Sequence, residues 1–181
     1  MSTSSNALTP RSAGGPGGGS NKYLSFTLRG EVYAMAIEQV KEIIEFGQIT
    51  TVPMMPPYMR GVINLRGAVV PVVDLSRRFG GEASEVGRRT CIVILEVLQE
   101  HGGRQVIGVI VDAVNAVLDI APEAIEPPPS FGTSVRPDFL RGMGKVKDRF
   151  VVILDVQRTL SVAELNALRE LPVAAEASIA A

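Results

Sequence analysis

Few side chains in this sequence are of the types that drive covalent or metal chemistry, and their neighbours limit what each can do. Cys91 is the only cysteine and His101 the only histidine, a combination that in principle supplies a nucleophile and its base. Cys91, however, lies in the apolar run Cys91-Ile92-Val93-Ile94-Leu95, which reads as a strand with the thiol buried in the core. His101 belongs to the turn His101-Gly102-Gly103, so the pair lacks the convergent geometry that catalysis requires. Asp74, Asp112, Asp119 and Asp155 each follow an apolar run and could form a carboxylate cluster for metal or acid–base work. An aspartate at a strand end more commonly accepts from local backbone donors and starts the next turn. Without a Cys pair or a partner histidine, a transition-metal site also lacks ligands. Glu42, Asn64 and Arg66 are of another kind, polar groups carried on apolar scaffolding, and their chemistry is recognition. A structural reading stands beside it, with Arg66 pairing to a nearby carboxylate and Asn64 forming an Asx turn, and the residues alone leave both open.

The element that must position this set runs from Tyr58 to Phe79, where a polar turn at Asn64, Arg66 and Gly67 separates two apolar runs. The same framework recurs over Arg141 to Leu160, with Arg60 matching Arg141, Gly61 Gly142, Val70 Val151, Asp74 Asp155 and Arg77 Arg158, all 81 residues apart. Val32 to Phe46 lies over Val106 to Ile120 at an offset of 74, which leaves seven extra residues in the loop of the second copy. Self-similarity at a fixed offset means one supersecondary unit used twice, and two copies are too few for a solenoid. The expectation is two related halves packed together, about 22–84 and 88–160, joined by the polar linker from Gly80 to Ser84.

Residues 1–21 are Ser/Thr-rich and then Gly-rich, and read as a disordered tail. A phosphate loop at Gly14 to Gly19 is not supported, because such a loop follows a strand and opens a helix. Leu24, Phe26 and Leu28 alternate with polar or smaller residues as in a half-buried strand, and Arg29-Gly30-Glu31 turns the chain into a second strand over 32–37. Apolar residues at 36, 37, 40, 43, 44 and 46 have helical spacing and predict a short helix carrying Glu42; Asp112 to Asp119 is expected to match it. One helical turn is expected from Tyr58 to Ile63, then a strand from Ala68 to Leu75 in which Pro71 argues for an edge or a bulge, then a short helix to Phe79. Residues 91–98 and 105–111 read as a hairpin, Pro122 to Pro137 as an irregular connection, and 139–146 with 149–156 as a closing strand pair. Ser161 and Glu164 form a capping box, so a terminal helix is expected over 161–171, followed by a tail over 172–181.

With 181 residues, 46% of them hydrophobic, the chain can build a sizeable core. Eighteen basic residues against 19 acidic ones, a formal charge of -1, exclude a general nucleic-acid or anionic-membrane binder, so electrostatics act locally. The first 20 residues hold one charge, Arg11, and no apolar stretch of a secretory signal, and no apolar run is long enough to span a bilayer; the expected location is the cytoplasm.

The segment Arg60-Gly61-Val62-Ile63-Asn64-Leu65-Arg66-Gly67, followed by Pro71-Val72-Val73-Asp74-Leu75, resembles the CheW family of chemotaxis coupling proteins. Tyr23 to Leu28, Val40-Lys41-Glu42-Ile43, Gly108 to Asp112 and Asp148-Arg149 resemble the family's other blocks in order, so the likeness covers about 22–171. It implies a mainly β fold of two related SH3-like five-stranded β-barrels packed around a shared core, with short helices and a C-terminal helix. It implies a scaffold without catalytic activity or cofactor that bridges the cytoplasmic tip of a methyl-accepting chemoreceptor and the regulatory domain of the histidine kinase CheA, at membrane receptor arrays but without membrane insertion. Val40, Glu42 and Arg66 match positions in the family's receptor-contacting groove, and Asn64 joins them at the corner; no single kinase-contact residue is assigned. The same module closes CheA and opens CheV, and the absence here of a kinase core or a receiver favours a free-standing coupling protein. The proline-rich Met54-Met55-Pro56-Pro57 and both tails depart from the pattern and leave partner choice open. The alternative is an SH3-like module for other signalling partners or nucleic acid, and the second of these needs a basic face with stacking aromatics, whereas this chain has no Trp, three Tyr and six Phe.

Overall fold

The computed structural model describes residues 21–99, 102–128 and 135–160. In chain order these hold β1 (Lys22–Leu28), β2 (Glu31–Ala36), β3 (Val40–Glu45), β4 (Met59–Leu65), β5 (Ala68–Asp74) and the one-turn helix α1 (Leu75–Arg78). They continue with β6 (Cys91–Leu98), β7 (Arg104–Val111), β8 (Ala113–Asp119), the short β9 (Ile125–Glu126), β10 (Leu140–Val146), β11 (Arg149–Leu154) and α2 (Val156–Thr159). Three hairpins turn through two residues that both have positive φ: Arg29 and Gly30 (53° and 78°), Arg66 and Gly67 (52° and 86°), Lys147 and Asp148 (45° and 62°). This is the type I′ geometry whose twist matches that of the flanking strands.

Two sheets result, one ordered β3-β6-β7-β5-β4 and the other β8-β1-β2-β11-β10-β9. The internal repeat is visible in both. β3 pairs antiparallel with β6 as β8 does with β1, and β5 runs parallel to β7 as β11 does to β2. A register shift falls at Gly61 in β4 and at Gly142 in β10, and the Asp74 and Asp155 amides donate to Tyr58 O and Phe139 O at 2.7 and 2.8 Å. The sequence halves are nevertheless not separate units. Each copy sends its first hairpin, β1–β2 or β6–β7, into the sheet of the other copy.

The exchange explains the core. One cluster of buried residues fills the five-stranded sheet (Ile63, Val70, Val72, Ile92, Ile94, Ile110) and another the six-stranded sheet (Tyr23, Ala34, Ile120, Val151, Ile153). A larger cluster between them draws Phe26 and Tyr33 from one sheet, Val93 and Val109 from the other, and Phe79 and Phe139 from the connections. Its aromatic rings follow one another from Phe26 to Tyr33, Phe79 and Phe139 at centroid distances of 5.9, 5.8 and 6.1 Å, within the favourable range for ring pairs. The fold is thus mainly β, with two related sheets around a shared core, as expected; the sixth strand of the second sheet is the two-residue β9.

Several local expectations are corrected. Residues 36–46 form a 3-10 turn (Ile37–Gln39) and then a strand, because β-branched Val40, Ile43 and Ile44 suit an extended chain and β6 supplies ladder partners. The matching stretch 113–119 is likewise a strand, paired with β1, and Met59 onward is strand rather than a helical turn. Strand β5 is interior to its sheet. Pro71 is tolerated there because β7 pairs only Val72 to Asp74, while opposite Val62 directs its own N–H and C=O away from β5 to Thr50. Cys91 is half-buried, its thiol 3.1 Å from Arg89 O. His101, both tails and the helix expected over 161–171 lie outside the described residues.

Candidate recognition site

β3 and β4 are the two ends of the five-stranded sheet, and no ladder joins them among the described residues. The polar corner lies across this seam. Arg66, the first residue of the β4–β5 turn, donates from Nη1 to Glu42 Oε1 at 2.7 Å and from Nη2 to Oε2 at 2.9 Å, a bidentate fork on a carboxylate carried by β3. That bond and the charge behind it raise the Arg66 guanidinium above its ordinary pKa. Asn64 Oδ1 accepts from Gly67 N–H at 2.9 Å and so holds the turn from within. A backbone bridge lies beside the seam, where Thr50 and Val62 exchange N–H···O bonds of 2.9 and 2.8 Å. Gly61 permits this approach, since a Cβ there would lie 2.1 Å from Thr50 O.

Three of the four expected recognition residues are therefore brought together. Glu42 and Arg66 touch directly, and Asn64 shapes the turn that carries Arg66. Val40 stands two residues before Glu42, but a register shift between them pairs Val40 with Leu95 and Glu42 with Ile94, so the two lie on opposite faces of β3, and Val40 packs against the central core. Both structural alternatives raised by the sequence are also realised, the Asx-type turn and the carboxylate pair. They do not exhaust the corner, because the Arg66 side chain remains 75% exposed while Glu42 is mostly covered. The fork is held in one orientation and faces outward.

Asp74, Asp112 and Asp155 accept from backbone donors. Asp74, 1% exposed, accepts from Ser76 N, Ser84 N and Ser84 Oγ at 3.1, 2.9 and 2.7 Å and meets Arg60 at 3.2 Å, which pins the linker onto the sheet. Asp155 accepts from Arg158 N at 3.0 Å and Asp112 from Arg29 N at 2.8 Å, while Asp119 stands opposite Lys22 at the end of β8. Among the described residues no group of His, Cys, Asp and Glu could hold a metal ion. No helix of these residues is long and apolar enough to cross a membrane.

Sequence reasoning missed a second charged cluster next to the corner. Glu96 on β6 meets Arg104 at 2.8 Å and Lys41 at 3.3 Å, and hydrogen bonds from these two cations lower its carboxyl pKa. All three line an open cleft of about 790 Å3 between the sheets, with Glu38, Arg141 and Asp155. Only the pairing of β3 with β6 sets Lys41 beside Glu96, so no local pattern could have announced the cluster.

The chain matches the CheW-like domain over residues 22–164. It belongs to the CheW-like family. The chemotaxis protein CheW of Klebsiella aerogenes is 33% identical over 144 residues, 80% of this chain and 84% of its own. The probable chemotaxis protein CheW of Rhizobium etli is 32% identical over 149 residues, 82% of this chain and 93% of its own. Among solved structures, the scaffolding protein TtCheW of Thermoanaerobacter tengcongensis is similar at a TM-score of 0.67 and 36% identity, covering 75% of this chain and 84% of that one. The family is one of scaffold and adaptor proteins, not enzymes. The Glu42–Arg66 fork and the Asp74–Ser84 lock both lie within the matched region.

Proposed function

We propose that this protein is a non-catalytic chemotaxis scaffold that couples methyl-accepting chemoreceptors to the histidine kinase CheA and passes the receptor's state to the kinase. The receptor's cytoplasmic tip docks at the corner of Val40, Glu42, Asn64 and Arg66, and the regulatory domain of CheA binds elsewhere on the sheets. The protein works in the cytoplasm, recruited to receptor arrays at the membrane without entering the bilayer.

The observation that carries this reading is the fork at the seam. A solvated ion pair contributes little to stability, yet here it is bidentate and braced by the Asn64 turn, an arrangement suited to presenting fixed donors and a carboxylate to a partner. The family membership supports the choice of partners.

The test is a pair of titrations against a receptor cytoplasmic fragment and against the CheA regulatory domain. Arg66→Ala and Glu42→Ala are expected to weaken the first on the order of tenfold and leave the second unchanged. Equal weakening of both titrations with a fall in melting temperature would reduce the fork to a structural brace. An SH3-like module for other signalling partners or nucleic acid predicts no binding in either titration.

A further inference from the structure

The arginines of the described residues differ in their partners. Arg60, Arg66, Arg104, Arg136 and Arg158 form ion pairs with carboxylates. Arg78 turns inward between the rings of Tyr58 and Phe139, 4.8 Å from each, and its Nε donates to Thr159 O at 2.8 Å. Arg29, Arg77, Arg88 and Arg89 are exposed, form no ion pair among the described residues, and line one open cleft of about 1030 Å3; Arg141 and Arg149 are also exposed and without an ion pair but lie outside it. They come from three places in the chain: the β1–β2 turn, α1, and the turn that leads into β6.

Fixed contacts hold these segments in place. The Arg29 amide is anchored on Asp112 Oδ2 at 2.8 Å, and its guanidinium lies against the linker at Gly81, where a Cβ would come within 2.4 Å of Nη1. Ser84 and Ser76 tie the linker to Asp74 and to its own Glu82 carbonyl. Gly87 N–H donates to Thr90 Oγ1 at 2.7 Å and closes the turn that carries Arg88 and Arg89. Unpaired cations on a braced rim leave their donors free for a ligand.

The spacing of charge narrows what that ligand is. Glu82 and Glu85 are exposed within the same cleft, so a dense array of phosphates would meet carboxylates between the arginines. No aromatic ring lines the cleft to stack a base, and exposed Val86 adds an apolar contact. We propose that this cleft docks an acidic, carboxylate-rich segment of a protein partner, on a surface separate from the Glu42–Arg66 corner. A peptide can set its carboxylates one by one against the separated arginines and place apolar side chains near Val86. The proposal does not depend on which receptor or kinase occupies the other surfaces.

The experiment measures fluorescence anisotropy of a labelled Glu/Asp-rich peptide titrated with the full chain, beside a single-stranded oligonucleotide and vesicles containing phosphatidylglycerol. The peptide is expected to bind more tightly than either other probe and to be released by salt. The double variant Arg88→Glu with Arg89→Glu should weaken peptide binding on the order of tenfold, as loss and reversal of two rim charges imply. Arg149→Glu, which removes an exposed unpaired arginine on β11 outside the cleft, should leave binding unchanged. Arg77→Glu gives a second, independent readout if the double variant melts early. Absence of peptide binding, an equal loss in Arg149→Glu, or preference for the oligonucleotide or vesicles would overturn the assignment.

Discussion

Replacing Gly61 by alanine tests how the seam beside the recognition corner is built. The residue has φ +148°, and an added Cβ would stand 2.1 Å from Thr50 O and 2.8 Å from Ile49 Cγ2, distances no real contact sustains. The 2.1 Å neighbour is backbone and cannot rotate aside, so the segment around Thr50 must leave β4. The two bonds between Thr50 and Val62 go with it, at about 0.5–1.5 kcal/mol each. A β-carbon in this region of φ adds strain of about 1–3 kcal/mol. The sum is roughly 2–6 kcal/mol, and for a domain of this size each kcal/mol lowers the melting temperature by about 2–4 °C. Thermal melts of Gly61→Ala should therefore fall by at least about 4 °C. Gly142→Ala, where the nearest backbone atom is Glu126 O at 2.6 Å, should fall less. A melting temperature within about 1 °C of the parent for Gly61→Ala would show that the Thr50 bridge is not a fixed part of the seam.

Other consequences follow from single contacts. Burial, then the bond from its hydroxyl to Glu31, raises the pKa of the Tyr33 phenol far above the ordinary tyrosine value near 10. The unfolded chain ionises first, so this group's stabilisation is complete below about pH 10 and is lost as pH rises towards the folded value. Tyr33→Phe should be less stable than the parent at neutral pH, by about 0.5–1.5 kcal/mol for the lost bond, and the gap should close in alkaline denaturant melts; a gap independent of pH would contradict this. Ser84→Ala leaves buried Asp74 short of its 2.7 Å donor and should cost about 1–3 kcal/mol in urea unfolding, whereas an unchanged midpoint would mean the linker is not locked there. Deleting Met1 to Ser20 should leave the melting temperature and both partner titrations unchanged, because the segment has too little apolar content to offset its ordering entropy; a fall of several degrees would show that it packs on the domain.

The parts of the fold legible in the sequence were those set by neighbouring residues. Alternation from Tyr23 to Leu28, glycine at positions 30 and 67, and Lys147-Asp148 at a hairpin tip specify strands and turns whatever surrounds them. Residues 36–46 were misread because apolar positions at helical spacing also satisfy a strand with one face on β6, and there β-branching was the better guide than periodicity. The repeat was plain at offsets of 81 and 74 residues, yet a repeat does not say which copy a hairpin joins, and here each hairpin joins the other copy. Glu42 and Arg66 were singled out on residue type and family likeness. Their contact, 24 residues apart in sequence, exists because β3 and β4 meet as the two ends of one curved sheet. The arginine cleft had no local signal at all, since Arg29 reaches Arg88 and Arg89 only through the linker's lock on Asp74.

The most direct test of the scaffold assignment is a bridging measurement. A receptor cytoplasmic fragment is immobilised, the CheA regulatory domain is passed over it, and retention is measured with and without this protein. The domain should be retained only when this protein is present, and retention should drop on the order of tenfold with Arg66→Ala while direct binding of that variant to the kinase domain persists. Retention that is the same with and without the protein, or no retention in either case, would contradict a coupling role.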